Sequence, residues 1–442
     1  MFPWAAMSIV NVIPYFLLMA LFCGVGYLIT RAVPFYRRLV SPSQEKAGYR
    51  PELEGMRGIL ALSVFLHHAV VWWFVLQEGT WKLPPSNFYS QMAVVPVTLF
   101  FFLTGFLFWS KLLMKPQQEW RSFLRARIRR LAPAYLGAMV LFVLAVIALS
   151  HGVRHESWIR LLLNTARWTP FAFGGEPDIN RLPHTVYLMT VVWTLRWEWL
   201  FYIAVPLLGW FATKSWRCLW LIGGALALFA GSSLVANGPH NIHGAFTAAW
   251  FLRHCAYNFS IGIVVACLVR RYDWRKAAQS WIASVVAISV LGVVAVTIPG
   301  SYGYGALESI TLGLPFLIFA YGNDLFGLLR LKPLVFLGQI SYSVYMLHCL
   351  VLGTVMISLR QYIPRTPMAY WGVIALIGIA VVLISTLSHR WLEAPFMQRS
   401  KPAPQKTLFF FSGINARAFA RHRRKQYVNS ITKGFVGVLG LA

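Results

Sequence analysis

The chain has 442 residues, 58% of them hydrophobic and only 12% charged, with a mean hydropathy of +0.61. Soluble domains carry about 25% charged residues, so a soluble globular fold is excluded and an all-α, polytopic transmembrane helix bundle is expected. The net charge of +27 first suggests a nucleic acid partner, but its placement along the chain points to membrane topology and lipid headgroups instead.

Eleven apolar stretches predict spans near 8–30, 57–77, 92–113, 133–150, 188–211, 218–236, 248–269, 280–298, 306–321, 335–358 and 369–390. The first has no positively charged n-region and no small-residue cleavage site, so it reads as a retained span rather than a signal peptide. The second opens as RPELEGMRGILALSVFLHHAVV from Arg50. At about 100° per residue, Arg57 and His68 fall within ~20° of one helix face, about 16 Å apart along the axis, while His67 lies about 80° off. Such a face suits an anionic ligand held at the cytoplasmic mouth by Arg57 with its reactive end near His68. A snorkelling anchor and a hydrogen-bonded core histidine are the other reading.

The third span carries FFFLTGFLFWSKLL, and the fourth is entered through RSFLRARIRRLAPAYL, which holds Arg121, Arg125, Arg127, Arg129 and Arg130 just before Pro133. Guanidinium forks hold phosphate bidentately, and they also anchor helices at headgroups. Residues 151–187 form a long polar loop that could shape a recognition surface. The next span contains WTLRWEWLFY, placing Arg196 and Glu198 at mid-depth. The span at 335–358 contains LGQISYSVYMLHCLV, with His348 at mid-depth, and HRWLEAPF with Glu393 ends the last span. Ionisable groups near the bilayer centre cost about 2.5–3.5 kcal/mol each on insertion scales, so His68, Glu198 and His348 need a reason to be there. The tail from Lys401 is basic and could lie as an amphipathic helix on the inner leaflet.

Of the 40 Lys and Arg, 31 fall on one set of alternate loops and 8 on the other, with Arg196 inside a span. With an odd number of spans this places the N-terminus outside and the tail in the cytoplasm. Five scattered cysteines without a Cys-x-x-Cys argue against a disulfide framework or a structural metal. No phosphate-binding glycine loop, nucleophile elbow or zinc-hydrolase motif occurs.

Six elements, in order, resemble the acyltransferase 3 family of integral-membrane acyltransferases: RPELEGMRGILALSVFLHH, FFFLTGFLFWSKLL, RARIRRLAPAYL, WTLRWEWLFYIAVPLL, LGQISYSVYMLHCLV and HRWLEAPF. Thr104 stands where the family usually has Ser, and Arg196 with Trp197 precedes Glu198 in a departure from the pattern. The resemblance implies a ten-span core, here 50–400. It is preceded by an extra span and linker (1–49) and followed by the basic tail (401–442). It implies transfer of an acyl group, usually acetyl, from cytoplasmic acyl-CoA to a hydroxyl of an extracytoplasmic polysaccharide or lipid-linked saccharide, in the bacterial inner membrane. Acyl-CoA is then a co-substrate, with no permanently bound cofactor and no metal. Membrane lipids and polysaccharide-biosynthesis proteins are the expected partners. Arg57, Arg127 and Arg130 would hold CoA, and His68 would act as general base or carry the acyl group. Glu198 would orient His68, while His348, Trp72 and Arg196 would line the acceptor side. A transporter or flippase without chemistry accounts equally for mid-membrane charges, and a haem site between His68 and His348 is a further alternative.

Overall fold

The structure is a computed structural model and describes residues 8–41, 49–114, 119–212, 224, 255–299 and 306–398. The described residues contain no strand. Their helices are α1 (Ile13–Ala32), α2 (Pro34–Leu39), α3 (Pro51–Glu78), α4 (Asn87–Met114), α5 (Trp120–Leu149), α6 (Trp158–Trp168) and α7 (Trp193–Ala212). There follow α8 (Tyr257–Arg271), α9 (Arg275–Ala278), α10 (Trp281–Thr297), α11 (Ala306–Ala320), α12 (Lys332–Gln339), α13 (Ser341–Ser358) and α14 (Pro367–Ser388). A π-helical turn, His389–Glu393, leads into α15 (Ala394–Gln398). Seven helical segments are long and apolar enough to cross a membrane, and two shorter apolar helices cover Trp281–Thr297 and Leu307–Ala320. The chain is an integral membrane protein. Except for residue 224, the expected span at 218–236 lies outside the described residues, as does the start of the one at 248–269.

The helix bounds differ from the hydropathy reading where polar residues continue a helix. α3 starts at Pro51, six residues before Arg57, because Pro at the first turn and Glu52 and Glu54 beside the N-terminal dipole favour initiation there. It stops at Gly79, whose φ of 74° is left-handed and whose N–H returns to Val75 O. α5 takes in the whole arginine stretch and runs through Pro133. The expected span at 335–358 is two helices meeting at Ile340. The long loop is structured: α6 lies within it, capped by Ser157, and exposes Trp158, Ile159, Leu162 and Leu163, a face suited to a lipid interface.

α3 and α13 are the most enclosed helices. In each, 72% of the apolar window is buried, against 33% in α1. α3 lies between two apolar clusters, one built on α4, α5, α7 and α8, the other on α1 and α12 to α14. Its first turns press backbone to backbone against the segment around α12. A Cβ on Gly55 would stand 1.9 Å from Leu329 O, and one on Gly338 would stand 1.9 Å from Glu54 O. Small residues permit this approach in lipid, where van der Waals packing replaces the hydrophobic drive between helices. The N-terminus of α3 is also tied down by charge, with buried Glu52 3.5 Å from Arg330, which reaches Asp324 at 3.3 Å.

Gly338→Ala is expected to destabilise the protein by about 2 kcal/mol or more, since neither backbone can yield 1 Å without displacing a helix. Gly24→Ala, which meets nothing within 4 Å, is expected to leave stability within about 0.5 kcal/mol. Thermal unfolding of both variants in one detergent checks the contrast.

Candidate active site

The face expected from spacing forms on a single unbroken helix. His68 sits in the middle of α3, and its Nδ1 lies 3.0 Å from Val64 O and 3.1 Å from Nε2 of His348 on α13. His348 Nδ1 lies 3.0 Å from Val344 O, and Cys349 Sγ lies 3.2 Å from His348 Nε2. Each neutral imidazole carries one N–H. All these contacts are met when His348 donates from Nδ1 to Val344 O and His68 Nδ1–H is shared between Val64 O and His348 Nε2. His68 Nε2 is then left with its lone pair, the basic form of the ring. His67 turns elsewhere, with Nδ1 2.8 Å from Tyr89 O, which makes it a bridge between α3 and α4.

His68, His348 and Cys349 are the group among the described residues whose ligand atoms converge within 4.8 Å. Their contacts of 3.1 and 3.2 Å are hydrogen-bond separations. At such separations the two rings and the thiol can pass a proton between them.

A cavity of about 130 Å³ lies on the Arg57 side, lined by Arg57, Arg127, Arg130, Glu198, Tyr202 and Tyr345 among others. The three arginines expected to hold the donor, from α3 and α5, thus meet in one space, together with Glu198 of α7, which was expected beside His68 instead. Arg57 also pairs with Glu54 at 3.2 Å. Arg127 lies over the Phe108 ring, 4.9 Å from its centroid. Tyr202 O–H donates to Glu198 Oε1, and the charges acting on Glu198 are those of Arg130, Arg127 and Arg57. His68 and His348 are not in the lining. Tyr345 connects the two places. It lines the cavity, its ring is 6.0 Å from that of His348, and its hydroxyl lies 3.1 Å from Thr194 Oγ1.

Trp72 and Arg196, both expected on the acceptor side, lie apart from this cavity. Trp72 is buried one turn beyond His68 and edges Trp81 and Tyr187. Arg196 ion-pairs with Glu176 of the 169–192 segment, both side chains mostly buried. The sequence reading missed Tyr202, Tyr345, Thr194, Trp81 and Tyr187. Thr194 and Tyr202 stand four residues either side of Glu198 and Tyr345 three before His348, each on one helix face with a residue already singled out, whereas Trp81 and Tyr187 carried no such signal.

The acyltransferase domain of the acyltransferase 3 family matches residues 50–390, and the chain belongs to that family. Acyltransferase MdmB of Streptomyces mycarofaciens is 27% identical over 378 residues, 79% of this chain and 92% of that protein. A putative acetyltransferase of Acidianus two-tailed virus is 25% identical over 327 residues, 71% of this chain and 87% of that protein. A putative O-acetyltransferase of Staphylococcus aureus is 23% identical over 379 residues, 80% of this chain and 58% of that protein. No solved structure matches the chain. Membership and these relatives make the chain a membrane acyltransferase.

The Arg196–Glu176 pair is expected to hold the loop segment on α7. Removing either partner breaks a mostly buried ion pair, which costs about 3 kcal/mol. Glu176→Gln and Arg196→Met should each lower thermal stability, and the double variant should lose clearly less than the sum of the two. Additive losses in a double-mutant cycle would show that the pair is not coupled.

Proposed function

We propose that this member of the acyltransferase 3 family moves an acyl group, acetyl first of all, from cytoplasmic acyl-CoA to a hydroxyl of an extracytoplasmic glycan. The observation that supports the reading best is the convergence of Arg57, Arg127 and Arg130 with Glu198 in one cavity, Arg57 lying on the helix that also carries His68, the partner of His348 on α13. In the proposed topology the eleven spans run with the N-terminus outside and the tail inside, in a bacterial inner membrane. The three arginines then lie at the cytoplasmic entrance.

The cavity is too small for a whole CoA molecule, so the nucleotide would stay at the mouth and the thioester arm would enter. Guanidinium groups suit its phosphates and amides. Glu198 is placed to hold Tyr202 and to offset the arginine charges, which puts its role in catalysis on the donor arm. The nitrogen of His68 that needs orienting is Nδ1, and His348 with Val64 supplies the partners. His68 Nε2 takes the acceptor's hydroxyl proton as the oxygen attacks the thioester carbonyl. The carbon–sulfur bond breaks, and the CoA sulfur leaves as the thiol by taking the proton back from the imidazolium. Orientation of a base through its other nitrogen follows the logic of hydrolytic triads, with an imidazole in place of the carboxylate.

Purified protein incubated with labelled acetyl-CoA and a glycan acceptor extract is expected to release CoA and label the glycan. A transporter without chemistry would consume no donor. His68→Ala should lower turnover by about 10³-fold or more, whereas His67→Ala should keep most of it. Arg57→Ala and Arg130→Ala should each weaken donor affinity about tenfold. Unchanged donor affinity in both would leave these arginines as anchors only.

A further inference from the structure

We propose that the acceptor reaches His68 along a column of aromatic rings, His184–Tyr187–Trp81 with Trp72 at its base, and that the ring it stacks there is a sugar ring. The inference rests on the transferase reading above and adds where the acceptor binds and by which residues.

The column runs from surface to site. His184 and Tyr187 are stacked with centroids 4.9 Å apart and planes within 6°. Tyr187 stacks on Trp81 at 4.4 Å and 26°. Trp81 lies 5.8 Å from the His68 ring, and Trp72 meets both Trp81 and Tyr187 edge-on. Exposure falls along the same line, from exposed His184 through half-buried Tyr187 and Trp81 to buried Trp72 and His68. All of this lies at the end of α3 opposite Arg57, so a ligand using it approaches His68 from the side away from the donor cavity.

Three further observations separate this column from an interfacial belt of tryptophans. Belt residues point singly into headgroups, whereas these rings face one another and lead inward. His184 is held in the left-handed region at φ 60°, one of five non-glycine residues between 171 and 184 with positive φ. Strain of that kind persists where the surroundings over-determine it, commonly at ligand sites, and here it carries the ring that begins the stack. Its neighbour Thr185 is fixed by Asp178 Oδ1, which accepts from both the Thr185 N–H and its hydroxyl at 3.0 and 2.9 Å. Lastly, the buried Trp72 Nε1–H has no hydrogen-bond partner, and it is the partnerless indole that lies in the column. It is a donor placed for an acceptor's oxygen.

The chemistry of the rings selects the ligand. An aromatic face is the negative side of a quadrupole. Tyr187 has His184 against one face and Trp81 against the other, so it holds the outer rings in place, and a pyranose lays its flat patch of C–H groups on those outer rings while its hydroxyls point outward, one of them toward His68 Nε2. A simple aliphatic alcohol presents a hydroxyl but no such patch.

The full chain in lipid nanodiscs is titrated with octyl β-D-glucoside below its micellar concentration and, separately, with 1-octanol. Saturation-transfer NMR reads contact with the ligand protons. Saturable contact with the sugar protons is expected, weakened about tenfold or more in Trp81→Ala and in Tyr187→Ala. Trp81→Phe and Tyr187→Phe, which keep a ring, should recover most of it, and 1-octanol should not distinguish the variants. The proposal is overturned if the glucoside makes no saturable contact with the native chain, or binds the alanine variants as tightly. CoA release from labelled acetyl-CoA, followed in the same samples, reports separately on the transferase reading. Donor consumption with unaltered sugar affinity in the variants removes the column alone, and absence of donor consumption removes the reading on which it rests.

Discussion

The contact on which the site depends is the crossing of α3 with the segment around α12, where Gly55 meets Leu329 and Gly338 meets Glu54 without room for a Cβ on either glycine. His68 hangs from α3 and His348 from α13, which continues α12 through Ile340. A pair separated by 3.1 Å tolerates little displacement, since a hydrogen bond weakens quickly beyond its normal length. Backbone touching backbone is also stiffer than a contact through long side chains, which can change rotamer. In lipid, where apolar surface gains nothing from leaving its solvent, such close packing is the main source of rigidity. Further supports hold α3 and the helices around it. The Glu52–Arg330–Asp324 network ties the α3 terminus. α1 brings the Tyr15 hydroxyl to Ser63 of α3 at 2.8 Å, and the Tyr36 hydroxyl of α2 donates to Thr386 O of α14 at 2.6 Å.

From that fixed point the proposed division of labour follows by charge. The cationic cavity lies toward the start of α3 and the aromatic column toward its end, with the two histidines between them. A polyanionic thioester and a neutral ring would thus approach one base from opposite directions. Tyr345 and Thr194, hydrogen-bonded to each other, stand between the cavity and His348. This arrangement explains why ionisable groups are kept at a depth where each is costly. It also gives the basic entry of α5 a use besides topology, because Arg127 and Arg130 turn into the cavity while Arg121 and Arg125 are more exposed.

Much of this was legible in the residues. Helical periodicity placed Arg57 and His68 on one face and set His67 aside, and α3 is indeed one unbroken helix from Pro51 to Glu78. Ordered motifs named the family. What the sequence did not show were the pairings between distant elements. His348 lies 280 residues from His68, and nothing in either motif states that their rings meet. Glu198 was expected beside His68 on depth alone, but depth does not fix which way a side chain turns. Its hydrogen bond goes one turn along its own helix to Tyr202. The break at Ile340 was hidden because hydropathy is continuous across it. α6 was hidden because a short amphipathic helix raises no spanning signal. Trp81 and Tyr187 lie in segments without periodicity, where only the folded chain brings rings together.

The central claim is that the arginine cavity and the histidine pair form one active site entered by the donor from the Arg57 side. A cryo-electron microscopy structure of the chain with a non-transferable thioether analogue of acetyl-CoA tests it most directly. The account predicts phosphates beside Arg57, Arg127 and Arg130, with the acyl-bearing end past Tyr345 and within reach of His68 Nε2. An analogue bound elsewhere, or held in the cavity with its acyl end turned away from His68, would contradict it.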